Sequence, residues 1–309
     1  GYTAASMYST TGKGSLLAGN RRRQVDGGDP FRTGGAVHSR IRGCSGVESD
    51  LLRVVLMIED GGVFSGQFVA DVLAEIGDEV VAVCVFRPRK RRKGFGPFLR
   101  GLLYYSVWQL VKLLVVTGFR KLTGLLCPAP DGIGCCSVKR VAKWFGKDVI
   151  FFQDLNQEES HSKLRSLKPD VIISSVTAIV RRGVLEIPKM GWLNKHMSLL
   201  PAYGGLFPVF QAIAHGEHWV GTTVHVMTEE IDGGPILYQH VVPVERGDTV
   251  WRLYKKCYSQ VAPGFTHALR VLRGQAQPIT ADLARSQSYY SSPTAQDWLR
   301  FKERGVRFI

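Results

Sequence analysis

Between residues 51 and 176 the chain alternates short apolar, β-branched runs with helical stretches, and this alternation leaves few folds open. The run LLRVVLMIED at 51–60 is followed by Gly61-Gly62, by FSGQFVADVLAEIG at 64–77, and by a second apolar run, EVVAVCVF, at 79–86. That order reads as strand, glycine turn, helix, strand. Further along, VKRVAKWFG at 138–146 reads as helical and KDVIFF at 147–152 as extended. EESHSKLRSLK at 158–168 and PDVIISSV at 169–176 repeat the pair. Strands alternating with helices imply an α/β fold, a mostly parallel sheet covered on both faces, with ligands outside the carboxyl ends of the strands. The stretch WLNKHMSLLP follows the short helix VLEIP and runs a further strand into a loop, which sets Asn194 and His196 at that edge.

Composition is compatible with a globular protein of one or two domains, with 45% hydrophobic residues among 309. The six cysteines, at 44, 84, 127, 135, 136 and 257, form no C-x-x-C pair. They indicate neither a disulfide framework nor a zinc site, so a reducing, cytoplasmic location fits, no metal is expected, and Cys135-Cys136 read as packing thiols.

The formal charge of +14 is local. Residues 87–147 hold 14 Lys and Arg against one acid, Asp131, a net +13, and the rest of the chain is close to neutral at +1. This stretch opens with RPRKRRK at 87–93 and continues as GFGPFLRGLLYYSVWQLVKLLVVTGFRKLTG at 94–124, a basic amphipathic insertion over 87–130. Arg100 and Lys112 interrupt its apolar run, so it is a poor transmembrane span. Three readings stand beside one another: a helix packed on the protein with a solvated basic face, an anionic membrane surface element, or an RNA-binding element through residues 87–124. Residues 1–50 are rich in Gly, Ser, Thr and Arg with no apolar period and read as a disordered or artefactual segment. Their first 25 residues lack acids and include Arg21, Arg22 and Arg23, so organelle targeting stays open, whereas the lack of an apolar core argues against secretion.

The chemistry concentrates in GWLNKHMSLLPAYGG at 191–205 and TEEIDGGPIL at 228–237. Asn194 can hydrogen-bond a carbonyl oxygen, His196 can move protons near neutral pH, and Asp232 can orient and charge an imidazole. That set suits acyl transfer to an amine: when an amine attacks an acyl carbon, negative charge appears on oxygen and positive charge on nitrogen, so the site needs a donor for one and a base for the other. Ser198 lacks the G-x-S-x-G elbow of a nucleophile and reads as a loop-shaping residue. EDGGVFSG after the first strand does not form G-x-G-x-x-G, which removes the main support for dinucleotide chemistry.

Taken in order, N-x-H-x-S-L-L-P, GTTVHVM at 221–227 and IDGGPIL at 231–237 resemble the folate-dependent formyltransferase family, which includes methionyl-tRNA formyltransferase, glycinamide ribonucleotide transformylase and sugar N-formyltransferases. The likeness extends from about 51 to 275 outside the insertion and includes LKPDVII at 167–173. It implies a Rossmann-like sheet of the formyltransferase type, a catalytic domain over 51–275, and 10-formyltetrahydrofolate as formyl donor. It also implies that Asn194 holds the formyl oxygen, that His196 assists as imidazolium or relays a proton to the departing nitrogen, and that Asp232 raises the histidine pKa and receives the amine's proton. The pteridine would lie against the backbone of Val176, Thr177, Ala178 and Ile179 on one side and Thr228, Glu229, Glu230, Ile231 and Asp232 on the other, with His225 in support.

Departures bear on the acceptor, a small amine or tRNA. Met197 stands where relatives often have Pro or Gly, and LPAYGGLFP has Gly204 in place of the Arg of L-P-x-Y-R-G-x-x-P. No Gly-Ser-Asn phosphate loop follows the first strand, against glycinamide ribonucleotide as acceptor. After one helix over 249–272, only 37 residues remain, too few for a C-terminal barrel domain, which disfavours tRNA; 276–309 reads as an extension whose terminal helix packs on the core. Alternatives are hydrolysis of formyltetrahydrofolate, disfavoured by the lack of a regulatory domain, and a silent membrane-surface or RNA-binding member. Oligomeric state is not legible.

Overall fold

The computed structural model describes residues 51–309 except 61, 89–98, 104–105, 127–136 and 283–284, so the expectations for residues 1–50, most of RPRKRRK and Cys135-Cys136 lie outside the described residues. Seven strands form one sheet in the order β3-β2-β1-β4-β5-β7-β8. They are β1 (Val54–Glu59), β2 (Val80–Phe86), β3 (Val149–Phe152), β4 (Val171–Ser175), β5 (Gly191–His196), β7 (Trp219–Val226) and β8 (Ile236–Pro243). β3 through β5 pair in parallel, while β7 runs antiparallel to β5, and β8 to β7.

The apolar runs are continuous because both sheet faces are covered. In β1, Val54, Leu56 and Ile58 enter one core with Phe68, Val69, Val72 and Leu73 of α1 (Ser65–Ile76) and Phe265 of α8 (Val261–Leu272). The intervening Val55 and Met57 enter the other with Leu164 of α4 (Glu158–Ser166), Val184 of α5 (Arg182–Leu185) and Trp192. Alternate residues of a strand point to opposite faces, so a strand buried on both sides has no polar positions to spare. Each such fully buried aliphatic side chain contributes about 1.5–3 kcal/mol.

The chain steps outward from β1 to β2 and β3, then returns to place β4 on the other side of β1. That reversal opens a crevice beyond the carboxyl ends of β1 and β4. Glu59, the last residue of β1, accepts from Thr177 N at 2.7 Å and Thr177 Oγ1 at 2.6 Å, which fixes the segment leaving β4 at this crevice.

Two expectations change. Residues 249–272 form two helices, α7 (Val250–Tyr258) and α8, instead of one. Pro263 has no N–H to continue the ladder, and its ring is incompatible with a helical carbonyl at Ser259, so the break falls there. The carboxyl-terminal segment is also more than a terminal helix. Tyr289–Tyr290 form β9, which pairs in parallel with β6 (Gly204–Gly205) in a second, two-stranded sheet. α9 (Ala295–Glu303) starts at a Thr294–Asp297 capping box and inserts Trp298 and Phe301 against Phe210 of the buried α6 (Pro208–Ala214), with ring centroids 4.5 and 4.8 Å away.

The insertion contains α2 (Val107–Leu126), held to the body by buried Leu113 and by Gln109 Oε1, which accepts from Ile309 N at 2.9 Å. α3 (Val138–Trp144) leads back to β3. No helix among the described residues is long and apolar enough to cross a membrane.

Candidate active site

β5 places Asn194 and His196 two residues apart on one face, and the antiparallel register sets His225 opposite Asn194 and Thr223 opposite His196. Asp232 lies on the loop after β7 with φ +55, a left-handed conformation that Asp tolerates better than most residues. From there its carboxylate stands between the two imidazoles. Oδ2 is 3.7 Å from His196 Nδ1, and Oδ1 is 3.7 Å from His225 Nε2. Gly205 N donates to Oδ2 at 2.8 Å, fixing the side chain.

The histidine protons follow from their carbonyl partners, which can only accept. His196 Nε2 is 2.8 Å from Tyr203 O, so Nε2 carries a hydrogen and the neutral ring turns the Nδ1 lone pair towards Asp232. His225 Nδ1 is 3.1 Å from Val226 O, so its Nε2 likewise faces Asp232 as an acceptor. His225 Nε2 is buried without a hydrogen-bond partner among the described residues. With both rings neutral, two imine nitrogens and a carboxylate converge around gaps too long for direct hydrogen bonds. Such a pocket of acceptors suits a group that brings its own N–H donors. The arrangement differs from a histidine free to donate to a substrate oxygen, because Nε2–H of His196 is already engaged by Tyr203.

Burial lowers the His225 pKa from 6.5 to about 4, with the Asp232 charge opposing the shift. The unfolded chain therefore binds a proton below pH 6.5 that the native protein refuses until about pH 4. Stability from this group is fully present above pH 6.5 and is lost as pH falls towards 4, a contribution of about 3 kcal/mol. Denaturant titrations across that window should show the slope, and His225→Gln should flatten it; an unchanged slope in the variant would assign it elsewhere.

Asn194 is half-buried, and its Oδ1 lies 3.4 Å from Ser174 Oγ, which also donates to Leu193 O at 3.0 Å. The amide –NH2 is the donor end of this side chain. Ser198 is buried; its hydroxyl donates to Ala202 O at 2.7 Å and its carbonyl accepts from Thr223 Oγ1 at 2.6 Å, so it shapes the loop, as its sequence context indicates. Gln239 Nε2 adds a bond to Leu200 O at 2.8 Å.

Val176, Thr177, Ala178 and Ile179 leave the carboxyl end of β4 at the crevice, with Asn156 Nδ2 donating to Ile179 O at 2.9 Å. Thr228, Glu229, Glu230 and Ile231 precede Asp232, and Thr228 Oγ1 donates to Glu230 O at 3.1 Å. Each segment exposes one large apolar side chain, Ile179 at 57% and Ile231 at 51%.

Four contributors carry no side-chain signal or fall outside the motifs. Tyr203 acts through its carbonyl, Gly205 through its N–H, and Ser174 by touching Asn194. Tyr289 of β9 is the fourth: a Cβ at Gly204 would lie 3.6 Å from both Asp232 Oδ2 and Tyr289 Cδ2. The small residues of β6 therefore let the tail's ring stand beside the carboxylate. A proline-flanked Y-G-G is the one signal for this in the sequence.

Residues 130–269 match a family model described as formyl transferase. The chain is 37% identical over 153 residues to the bifunctional polymyxin resistance protein ArnA of Wigglesworthia glossinidia brevipalpis, covering 48% of this chain and 23% of that protein. It is 35% identical over 120 residues to methionyl-tRNA formyltransferase of Macrococcus caseolyticus, covering 38% and 39%. The chain thus spans well under half of either relative's length. Among solved structures, glycinamide ribonucleotide transformylase 1 from Symbiobacterium toebii aligns over 77% of this chain and 99% of its own, with a TM-score of 0.51 and 21% identity, a likeness of fold.

Proposed function

Residues 130–269 belong to the formyl transferase family, and from that premise we propose that this protein transfers a formyl group from 10-formyltetrahydrofolate to a primary amine. The observation that carries the reading is the Asp232 carboxylate held 3.7 Å from an imine nitrogen of His196 and of His225, on the sheet face that also bears Asn194. A neutral amine entering there meets acceptors for its N–H groups while its lone pair is turned to the formyl carbon.

The chain's own groups then have separable tasks. As the amine nitrogen bonds to the formyl carbon, the carbonyl π pair moves to oxygen, and the Asn194 –NH2 donates to that oxyanion. A well-placed donor of this kind is worth about 3–4 kcal/mol. The amine loses a proton to the pair formed by His196 Nδ1 and Asp232. When the carbon–N10 bond breaks, N10 takes up a proton, and the products are the formamide and tetrahydrofolate. With Nε2–H of His196 engaged by Tyr203 O, the proton route runs through Nδ1 and leaves oxyanion stabilisation chiefly to Asn194.

Val176 to Ile179 and Thr228 to Ile231 would hold the pteridine through backbone groups and through the exposed Ile179 and Ile231. Tyr289, 59% exposed beside Asp232, offers the acceptor a ring face. Methionyl-tRNA, which one relative's name carries, and an amino sugar or other small amine are the acceptor types for comparison.

The full chain is tested with 10-formyltetrahydrofolate and an amine panel comprising methionyl-tRNA, amino sugars and glycinamide. Amine-dependent formation of tetrahydrofolate and a formamide is the expected result, slowed at least about 100-fold in His196→Ala. Release at the same rate without amine would replace transfer by hydrolysis, and no turnover with any member would identify a silent protein.

A further inference from the structure

We propose that the face formed by α2 and the cavity beside it is a docking surface for an anionic lipid bilayer, with a lipid phosphate seated among Lys112, Arg252, Lys255 and Arg307. α2 buries Gln109 and Leu113 towards the protein, yet Trp108, Val111, Val115, Phe119 and Leu122 form an outward stripe at spacings of three and four residues. Trp108 is 73%, Phe119 62% and Leu122 55% exposed. Val107 and Leu114 widen the stripe on the same helix. Single exposed apolar residues are ordinary on protein surfaces, whereas a contiguous stripe from Val107 to Leu122 marks an interaction face.

The second observation is a cavity of about 380 Å³ at the edge of this stripe, lined by Lys112 of α2, Thr249, Trp251, Arg252 and Lys255 at the start of α7, and Arg307 and Ile309. Four cations converge on it with no acidic side chain in the lining. Lys256, on the same helix, is bound by Glu245 at 2.7 Å and Asp248 at 2.9 Å, and none of the four lining cations has such an ion pair among the described residues. Lys112 sits between Trp108 and Val115 on the helix, so the cationic cavity and the apolar stripe share an edge.

Charge selects the occupant. The net +13 over residues 87–147 repels a second copy of the same surface, and aliphatic Val111, Leu114, Val115 and Leu122 offer nothing to an RNA strand. An anionic bilayer meets both halves, acyl chains against the stripe and phosphates against the cations. Since no described helix is long and apolar enough to cross the bilayer, α2 lies in its surface. This surface is independent of formyl transfer.

The test is flotation of the full chain with phosphatidylcholine vesicles with and without phosphatidylglycerol. Binding to the anionic vesicles alone is expected, weakened by more than about tenfold at ~1 M salt, where the screening length is about 3 Å. Val115→Asp/Phe119→Asp and Lys112→Glu/Lys255→Glu should each abolish it while melting as the parent does. As a readout that needs no loss of binding, Trp108 emission should shift to the blue on anionic vesicles, and Trp108→Phe should remove the shift. No binding to anionic vesicles, or undiminished binding by the Val115/Phe119 variant, overturns the proposal. So does tight binding to polyuridylate that only the lysine variant loses, or a dimer in vesicle-free solution that the Val115/Phe119 variant dissociates.

Discussion

Asp232→Asn should lower the rate of formyl transfer by about 10³–10⁴-fold, with the affinity for 10-formyltetrahydrofolate changed far less. The substitution keeps the shape of the side chain and an oxygen for Gly205 N–H, which now donates to Oδ2 at 2.8 Å. It removes the charge that two imidazoles face at 3.7 Å and, with it, the acceptor for the amine's proton. An asparagine would also turn a donor –NH2 to one imine nitrogen, filling the place reserved for substrate N–H groups. Stopped-flow measurement of a single turnover, beside folate binding by fluorescence, separates the chemical step from binding. A variant retaining a tenth or more of the parent rate would show that Asp232 is not on the proton route, and would leave the amine's proton to His196 Nδ1 alone.

Much of the sheet was legible because burial on both faces writes an unmistakable pattern. β1 and β2 are apolar but for Glu59 at the end of β1, and β4 opens on an apolar run over 171–173 before Ser174 and Ser175; their alternate apolar residues enter opposite cores, so hydrophobicity marks them. The β7–β8 hairpin has no such signature, although β7 is buried over all but its first residue. Thr222, Thr223 and His225 interrupt its apolar pattern, and one polar atom of each donates to a carbonyl: Thr222 Oγ1 to Cys257 O at 2.7 Å, Thr223 Oγ1 to Ser198 O at 2.6 Å, and His225 Nδ1 to Val226 O at 3.1 Å. A buried polar residue with a partner and an exposed one look alike in a sequence. The break between α7 and α8 had a readable mark in Pro263, outweighed by the apolar period on either side of it.

The site divides along the same line. Asn194, His196 and Asp232 carry their chemistry in their side chains, so the sequence motifs mark them. Their orientation depends on main-chain groups, Tyr203 O for His196 and Gly205 N for Asp232, and no residue type encodes a carbonyl or an amide. The tail's position is a long-range fact as well. Gly204 N donates to Ser288 O and Leu206 N to Tyr290 O, each at 2.8 Å, contacts between segments more than 80 residues apart. Gly204 in place of the family's Arg acquires a reason from them, since the Tyr289 ring occupies the space beside it.

Gly205→Ala should destabilise the protein by at least about 3 kcal/mol, lowering Tm by about 6–10 °C, and should also cost most of the formyl-transfer rate. Two penalties coincide at this position. The backbone has φ +91, outside the range an L side chain adopts readily, and a Cβ would fall 2.1 Å from Tyr290 O and 2.9 Å from the Tyr289 ring. The carbonyl belongs to the β6–β9 pairing and cannot rotate away like a side-chain tip, so β9 must shift or leave. Either movement disturbs the Gly205 N–H that holds Asp232, which links a stability defect in the tail to the acceptor end of the site. Gly247→Ala is the control. Its φ is +88 and a Cβ there meets nothing within 4 Å, so it isolates the backbone term, about 1–3 kcal/mol, from the clash. Equal losses of stability in the two variants would mean that β9 yields freely, and a Gly205→Ala protein with the parent's turnover would detach the tail strand from the positioning of Asp232.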